Sequence, residues 1–401
     1  MKKILPFIFS LIIILIVGEI AIRLLGQYDF DENFQVGKIT FRPYKLPVNS
    51  AEKYIGQLLQ EKEKAIIQYD SLLGWAPRPL SRSADGLYIY NAQGVRVGDQ
   101  NILFSDTVSQ DTFRIVLIGD SFTHGSEVVY EKSWGYLLEK KLNKNGIPAQ
   151  VINLGVGAFG MDQAYWRWES IGKQFNSDLV IFGLQFENVR RNVNLFRSIY
   201  TPTAHIPLSK PRFILDENKL KIINQPPVPP DQVVDVLSDF ENWELATHEY
   251  FYRPQDFRSS VVFKSKFIAF LREHISPNKS MVLRHPYGTK AGNYSADDEL
   301  GTLTMKILDL MNESVENEGA QFLMVHLPHI WGLGHFRKYG YFPYDQLSQA
   351  IEGKYNLIET KLDFEKRFNQ HENEDFYLWF HYSDLGNEII AESVFKYIVD
   401  L

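Results

Sequence analysis

The 401-residue chain has a net charge of −7, with 45% hydrophobic and 23% charged residues, an ordinary globular balance that excludes wholesale disorder. The acidic excess, with no Lys/Arg block beyond the N-terminus, excludes a nucleic-acid footprint. Cysteine is absent, which removes disulfides, thiolate catalysis and cysteine-ligated metals.

Lys2 and Lys3 precede the apolar run Ile4–Gly18, which continues as Glu19-Ile-Ala-Ile-Arg23-Leu-Leu25. Taken to Leu25, the segment reaches the roughly 20 residues that a membrane span needs. Glu19 and Arg23 are spaced i,i+4 and can pair near one interface. No small-x-small cleavage site follows, so residues 1–25 read as an uncleaved single-pass anchor, with a cleaved signal peptide as the alternative. Lysines ahead of the span hold that end in the cytoplasm and export the remainder. Residues 26–110 form an extension without βα rhythm. Ala51–Tyr69 reads as a charged amphipathic helix, and Asp70–Gly98 as turns and short strands.

From Phe113 a βα alternation begins, so 111–401 reads as one α/β domain. Strands are expected at Arg114–Ile118, Gln150–Leu154, Leu179–Leu184 and Gln321–His326, with a fifth near Asn356–Ile358. Helices are expected at Trp134–Leu142 and Gln163–Phe175. Two more follow from apolar faces of period 3.6: Leu303, Ile307, Leu310, Met311 and Val315, then Leu385, Ile389, Ile390, Val394 and Ile398. Ser295…Asp298 supplies an acidic cap pattern before the first of these. Between about residues 190 and 294 the alternation stops. Pro-rich stretches there flank a hairpin-like Arg212–Ile223 and an amphipathic Ser259–His274, an insertion after the third strand. Loops at that edge of a sheet commonly shape a substrate cleft.

Gly119-Asp120-Ser121-Phe122-Thr123-His124-Gly125 stands directly after the first buried strand, which puts Ser121 on a strand-to-helix turn. In an open α/β sheet this carboxyl edge is where ligands bind. Asp120 and Ser121 also fit a plain helix cap. A nucleophilic serine needs a base and oxyanion donors. Among ten histidines, His381 is best placed, in a loop just before the last helix; His326 and His329, after the fourth strand, are the competitors. His124 adjoins the serine too closely in sequence to serve as its base.

Gly119-Asp120-Ser121 resembles the nucleophile block of the SGNH/GDSL hydrolases. Asn153-Leu-Gly155-Val-Gly157-Ala158-Phe-Gly160 after the second strand, Asn188 after the third and His381 near the end resemble the other blocks, in order. The resemblance spans roughly Phe113–Leu401, with the insertion unmatched. It is closest to the membrane-anchored, envelope-facing members, in which Leu-Gly-Trp and Asn-x-x-Gly-Val-Arg patterns (here Leu73–Trp75 and Asn91–Arg96) precede the catalytic block. It implies a three-layer, flavodoxin-like α/β fold with a five-stranded, mostly parallel sheet. It also implies Ser121 as nucleophile and His381 as base. The implied oxyanion donors are the Ser121 and Ala158 backbone N–H groups and the Asn188 side chain, with Gln185 as the alternative to Asn188.

Three departures from the family pattern stand out. Ala158 replaces the usual glycine, which matters if positive φ is required there. Asn188 lies further beyond the strand than usual. The acid that generally stands two or three residues before the histidine is replaced by Trp379 and Leu378. Asp375, six residues upstream, is then the expected acid, with Glu374 or a Ser–His dyad as alternatives. The expected function is carbon–oxygen ester hydrolysis through an acyl-serine, on short O-acyl (acetyl) groups of an envelope or secreted glycan. An O-acyltransferase using the same site, or a non-catalytic glycan-binding or assembly protein, are the alternatives. No cofactor, metal or nucleic-acid partner is expected; the expected partners are the membrane and an acylated carbohydrate or other small ester.

Overall fold

The computed structural model describes residues 4–37, 39–60, 65–109, 111–201, 205–275, 295–296 and 299–400. Asp298 of the expected cap lies outside them. The chain divides into two compact units. One comprises Met1–Gly56, Phe196–Pro207 and Pro230–Ala291; the other comprises Gln57–Leu195, Leu208–Pro229 and Gly292–Leu401.

The larger unit is built on five strands: β1 (Phe113–Gly119), β2 (Ala149–Asn153), β3 (Leu179–Leu184), β4 (Gln321–His326) and β5 (Leu357–Ile358). Their spatial order is β5-β4-β3-β1-β2, and every pairing is parallel. This is the flavodoxin-like 2-1-3-4-5 order, whose reversal of direction falls between β1 and β3. The strands read as near-continuous apolar runs because both faces are covered. Ile115 and Leu117 of β1, Leu179 and Ile181 of β3, and Leu323 and Val325 of β4 point to one face. There they meet Trp134, Leu138 and Leu142 of helix Trp134–Lys144 and Ile389, Ile390, Val394 and Ile398 of helix Asp384–Val399. Helices Met161–Arg167 and Glu299–Asn317 pack against β1 and β4. Each Leu, Ile or Val in these layers contributes roughly 1.5–3 kcal/mol by leaving water, so the sheet edge above is a rigid platform.

The expected helix Gln163–Phe175 is interrupted. An α-helix ends at Arg167, a π-helical turn takes Trp168–Gly172 and a 3₁₀ turn takes Lys173–Phe175. The expected helix over Ala51–Tyr69 is shorter and shifted, running over Val48–Gln60. Ile67–Asp70 instead pairs antiparallel with Gly74–Pro77. Asp70 Oδ1 accepts the Leu72 and Leu73 N–H groups at 2.8 and 2.9 Å, an Asx turn that reverses the chain. The hairpin over Arg212–Asp216 and Lys219–Ile223 forms as expected, with Glu217 and Asn218 at φ +47° and +65° in its two-residue turn.

In the smaller unit the apolar helix Ile4–Leu25 packs against helix Lys266–Ile275. Ile22, Phe34, Phe41, Phe263 and Ala269 form its buried cluster. Glu19 Oε2 accepts from Ser265 Oγ and from the Phe267 N–H at 2.8 and 2.9 Å. Gly18 lies against the Phe267 ring so closely that a Cβ would come within 2.7 Å of it.

Candidate active site

The turn after β1 is tight. Gly119 has φ +150°, and a Cβ there would overlap the Thr123 hydroxyl at 2.2 Å. Asp120 caps the short helix Ser121–His124 by accepting the Phe122 N–H at 2.9 Å. The plain capping role therefore belongs to Asp120, and Ser121 is left as the first residue of the helix, whose N–H has no intrahelical carbonyl to bond. Asp120 is fully buried, and burial pushes its carboxyl up against the opposing pull of the Arg191 guanidinium, 2.9 Å away.

Ser121 Oγ lies 2.8 Å from His381 Nε2. On the other side of the ring, His381 Nδ1 lies 2.8 Å from Glu127 Oε1, and the His381 backbone N–H donates to Glu127 Oε2 at 3.3 Å. One carboxylate thus grips a single residue twice, and Phe122 packs on the imidazole with ring centroids 5.0 Å apart. Nε2 is turned to the serine and Nδ1 to the acid. A serine, an imidazole and a carboxylate stand in hydrogen-bonded sequence above β1. The five-stranded parallel sheet and this order of groups fit the α/β fold that the sequence resemblance implies.

The partner of His381 is Glu127 and not Asp375. In the hairpin of Tyr377–Leu378 and His381–Tyr382, Leu378 stands opposite His381 and Phe376 opposite Ser383. Asp375 precedes the first of these strands, in the turn Asn373–Phe376, and is not among the hydrogen-bond partners of His381. Its Oδ2 accepts the Glu372 N–H at 2.9 Å and caps the turn Asn373–Phe376. Glu374 is exposed in the same turn.

Glu127 was not found by sequence reasoning because it sits at φ +72°, in a loop whose shape comes from elsewhere. Its backbone N–H donates to Tyr88 Oη at 2.9 Å. The guanidinium of Arg96, fully buried, donates to the carbonyls of His124, Gly125 and Val128, clasping the loop from both sides of Glu127. The Asn-x-x-Gly-Val-Arg pattern thus ends in the clamp on the acid loop. The Leu-Gly-Trp pattern braces the second block: Trp75 Nε1 donates to the Gly157 carbonyl at 3.1 Å.

Ala158 adopts φ +64°, so a left-handed residue is required there and alanine fills it at a cost of roughly 1–2 kcal/mol. Its N–H makes no hydrogen bond among the described residues. Asn153 Nδ2 donates to the Thr123 carbonyl at 2.7 Å, which ties this block to the nucleophile helix. Asn188 is fully buried, and Asp120 Oδ2 and the Gln185 carbonyl lie 3.0 and 3.2 Å from one end of its side-chain amide. Gln185 Oε1 accepts the Glu187 N–H, so that amide also serves the loop. Arg191 joins the three blocks by donating to Asp120, to the Phe159 carbonyl and to Glu187.

The competing histidines have other partners. His326 is buried between Glu359 and Tyr344. His329 Nδ1 accepts the Trp331 N–H at 3.3 Å, and burial lowers this group to about 4. His124 is held by Tyr90 and Ser126, and burial drives its pKa well below the usual histidine value. Among the described residues, no cluster of three or more His, Cys, Asp or Glu could hold a metal ion.

No family model matches this sequence, and no curated protein does. Solved structures do resemble it. The acetyl xylan esterase AlAXEase aligns at 14% identity over 71% of this chain and 99% of its own, with a TM-score of 0.36. A catalytic mutant of the acetylxylan esterase Axe2 from Geobacillus stearothermophilus aligns at 13% over 73% and 96%, with a TM-score of 0.35. A lipase/acylhydrolase from Enterococcus faecalis aligns at 12% over 71% and 94%, with a TM-score of 0.34.

Proposed function

We propose that this chain is a serine-dependent carbon–oxygen ester hydrolase. The observation that carries the reading is the unbroken relay of Ser121 Oγ, His381 and Glu127, with both hydrogen bonds at 2.8 Å. His381 Nε2 takes the Ser121 proton as Oγ attacks the acyl carbon. The Ser121 and Ala158 N–H groups stabilise the oxyanion, which is where such donors contribute most. Glu127 holds the imidazole in the tautomer that accepts at Nε2 and stabilises the imidazolium. His381 then protonates the departing alcohol, and a water activated by the same imidazole releases the acid. The degraded acid position that favoured a non-catalytic protein is compensated by Glu127. Short O-acyl groups on a glycan are the substrate we favour, and a sugar hydroxyl in place of water would make the same apparatus an O-acyltransferase. A fluorophosphonate probe tests the reading: it should label wild-type protein at Ser121 and leave Ser121→Ala unlabelled. Labelling of both alike, or of neither under conditions that label a control serine hydrolase, would sink it.

We also propose that Ile4–Leu25 remains as a membrane anchor, with the catalytic unit on the extracytoplasmic side. The helix is long and apolar enough to span, and Lys2 and Lys3 precede it. Its last turns are built into the smaller unit: Ile22 is buried there, and Arg23 Nη2 donates to the Lys264 carbonyl. A leader destined for cleavage has no use for such contacts. Protein extracted from carbonate-washed membranes should therefore retain residues 1–25 by intact mass. A mature N-terminus beyond Leu25 would show a signal peptide instead.

A further inference from the structure

The hairpin that carries His381 has an unusual tip. Leu378 pairs with His381, so Trp379 and Phe380 are the two central residues of a two-residue turn. Such turns demand positive φ and are normally filled by Asn, Asp or Gly. Trp379 supplies it at φ +51°, with 85% of its surface exposed, and Phe380 is 51% exposed. A bulky residue in left-handed backbone is strained. Leaving an indole in water also forfeits its burial gain. Nothing in the hairpin's own stability returns either cost, and strain of this kind gathers at functional sites.

The exposed rings do not stand alone. Phe380 meets Trp331, itself 47% exposed, edge to face at 6.3 Å, and stacks on His329 at 6.4 Å. His329 in turn faces Phe122 at 5.8 Å, and Phe122 packs on the catalytic imidazole. An aromatic apron thus runs from the reacting centre out to Phe380, whose neighbour in the turn is Trp379. Its position is tied to the relocated acid. Trp379 and Leu378 occupy the places where the sequence resemblance expects an acid, and Glu127 instead bonds His381 Nδ1.

We propose that Trp379, Phe380 and Trp331 form the subsite that binds the carrier of the ester, and that this carrier is a polysaccharide. The inference rests on the ester-hydrolase reading of the same site. Open, flat rings with polar edges suit pyranose units, whose C–H faces pack on the ring while their hydroxyls stay in water. A fatty acyl tail needs an enclosed slot that removes it from water on all sides, which an indole 85% exposed does not provide. The scissile O-acyl group then reaches Ser121 from a sugar chain lying along the hairpin tip.

Trp379→Ala, Trp331→Ala and Trp379→Tyr should be compared with wild type in full-length, detergent-solubilised form. The substrates are p-nitrophenyl acetate, p-nitrophenyl octanoate, and acetylated xylan, mannan and peptidoglycan. On the best polymer, each alanine variant should lower the ratio of kcat/KM on polymer to kcat/KM on p-nitrophenyl acetate at least tenfold, chiefly through KM. Trp379→Tyr should recover most of it. An equal fall on polymer and p-nitrophenyl acetate would mark a merely structural role and overturn the proposal. So would a selective loss on the octanoate, or a wild type that cleaves p-nitrophenyl acetate but no polymer. A wild type inert on every ester would instead locate the failure in the hydrolase reading beneath it.

Discussion

Replacing Glu127 with glutamine is expected to lower kcat on p-nitrophenyl acetate by about 10²–10⁴-fold, with KM changed no more than a few-fold. The side chain keeps its size and can still bond the His381 N–H. It loses the charge that stabilises the imidazolium, and its NH₂ can turn toward Nδ1 and impose the wrong tautomer. The loss falls on kcat because the imidazolium exists only as Ser121 gives up its proton. At roughly 1.4 kcal/mol per tenfold, the interaction is being asked for about 3–5 kcal/mol. Asp375→Asn and Glu374→Gln should each remain within a few-fold of wild type, since Asp375 bonds the Glu372 N–H and Glu374 is exposed. A silent Glu127→Gln beside a crippled Asp375→Asn would reverse the assignment. Arg96→Lys gives a graded version of the same test. Lysine cannot span three carbonyls with a planar fork, so kcat should fall while the Ser121 label is retained.

The contrast between these carboxylates shows what a sequence can carry. Ser121 was legible because everything that places it is local: an apolar strand, a glycine where a Cβ would strike Thr123, and a capping aspartate. The first, third and fourth strands were legible for a similar reason, since burial on both faces leaves long β-branched and aliphatic runs. Glu127 depends on Arg96 and Tyr88, which arrive from about thirty to forty residues upstream and bend the loop into left-handed backbone. No local period announces that. The available signal was the Asn-x-x-Gly-Val-Arg pattern, an arginine too regular to be a surface charge, together with Glu127 as the first carboxylate after the nucleophile. Ala158 was half legible: the substitution was visible, but its φ of +64° was not. Asn188 was placed by position after β3, yet its burial beside Asp120 and Gln185 is something no spacing reveals. The helix over Ala51–Tyr69 failed where Ile67–Asp70 found a strand partner across an Asx turn, a tertiary override of local propensity.

Ser121→Ala, His381→Asn and the double variant should all lie within about tenfold of one another, each roughly 10⁴–10⁶-fold below wild type in kcat. A nucleophile and its base act as one unit: without Oγ the imidazole has no proton to take, and without the imidazole Oγ stays a neutral, weak nucleophile. The residual rate over water should come from the Ser121 and Ala158 N–H groups, which survive in all three proteins. Ser121→Ala removes one hydroxyl whose bond is to His381 Nε2, so its melting temperature should stay near that of wild type. The competing mechanism has His381 and Glu127 activating water directly, with Ser121 a bystander. It predicts a nearly active Ser121→Ala beside a dead His381→Asn, and no burst of p-nitrophenol before steady state. If the two single losses instead multiply in the double variant, Ser121 and His381 act in separate steps and the relay drawn here is wrong.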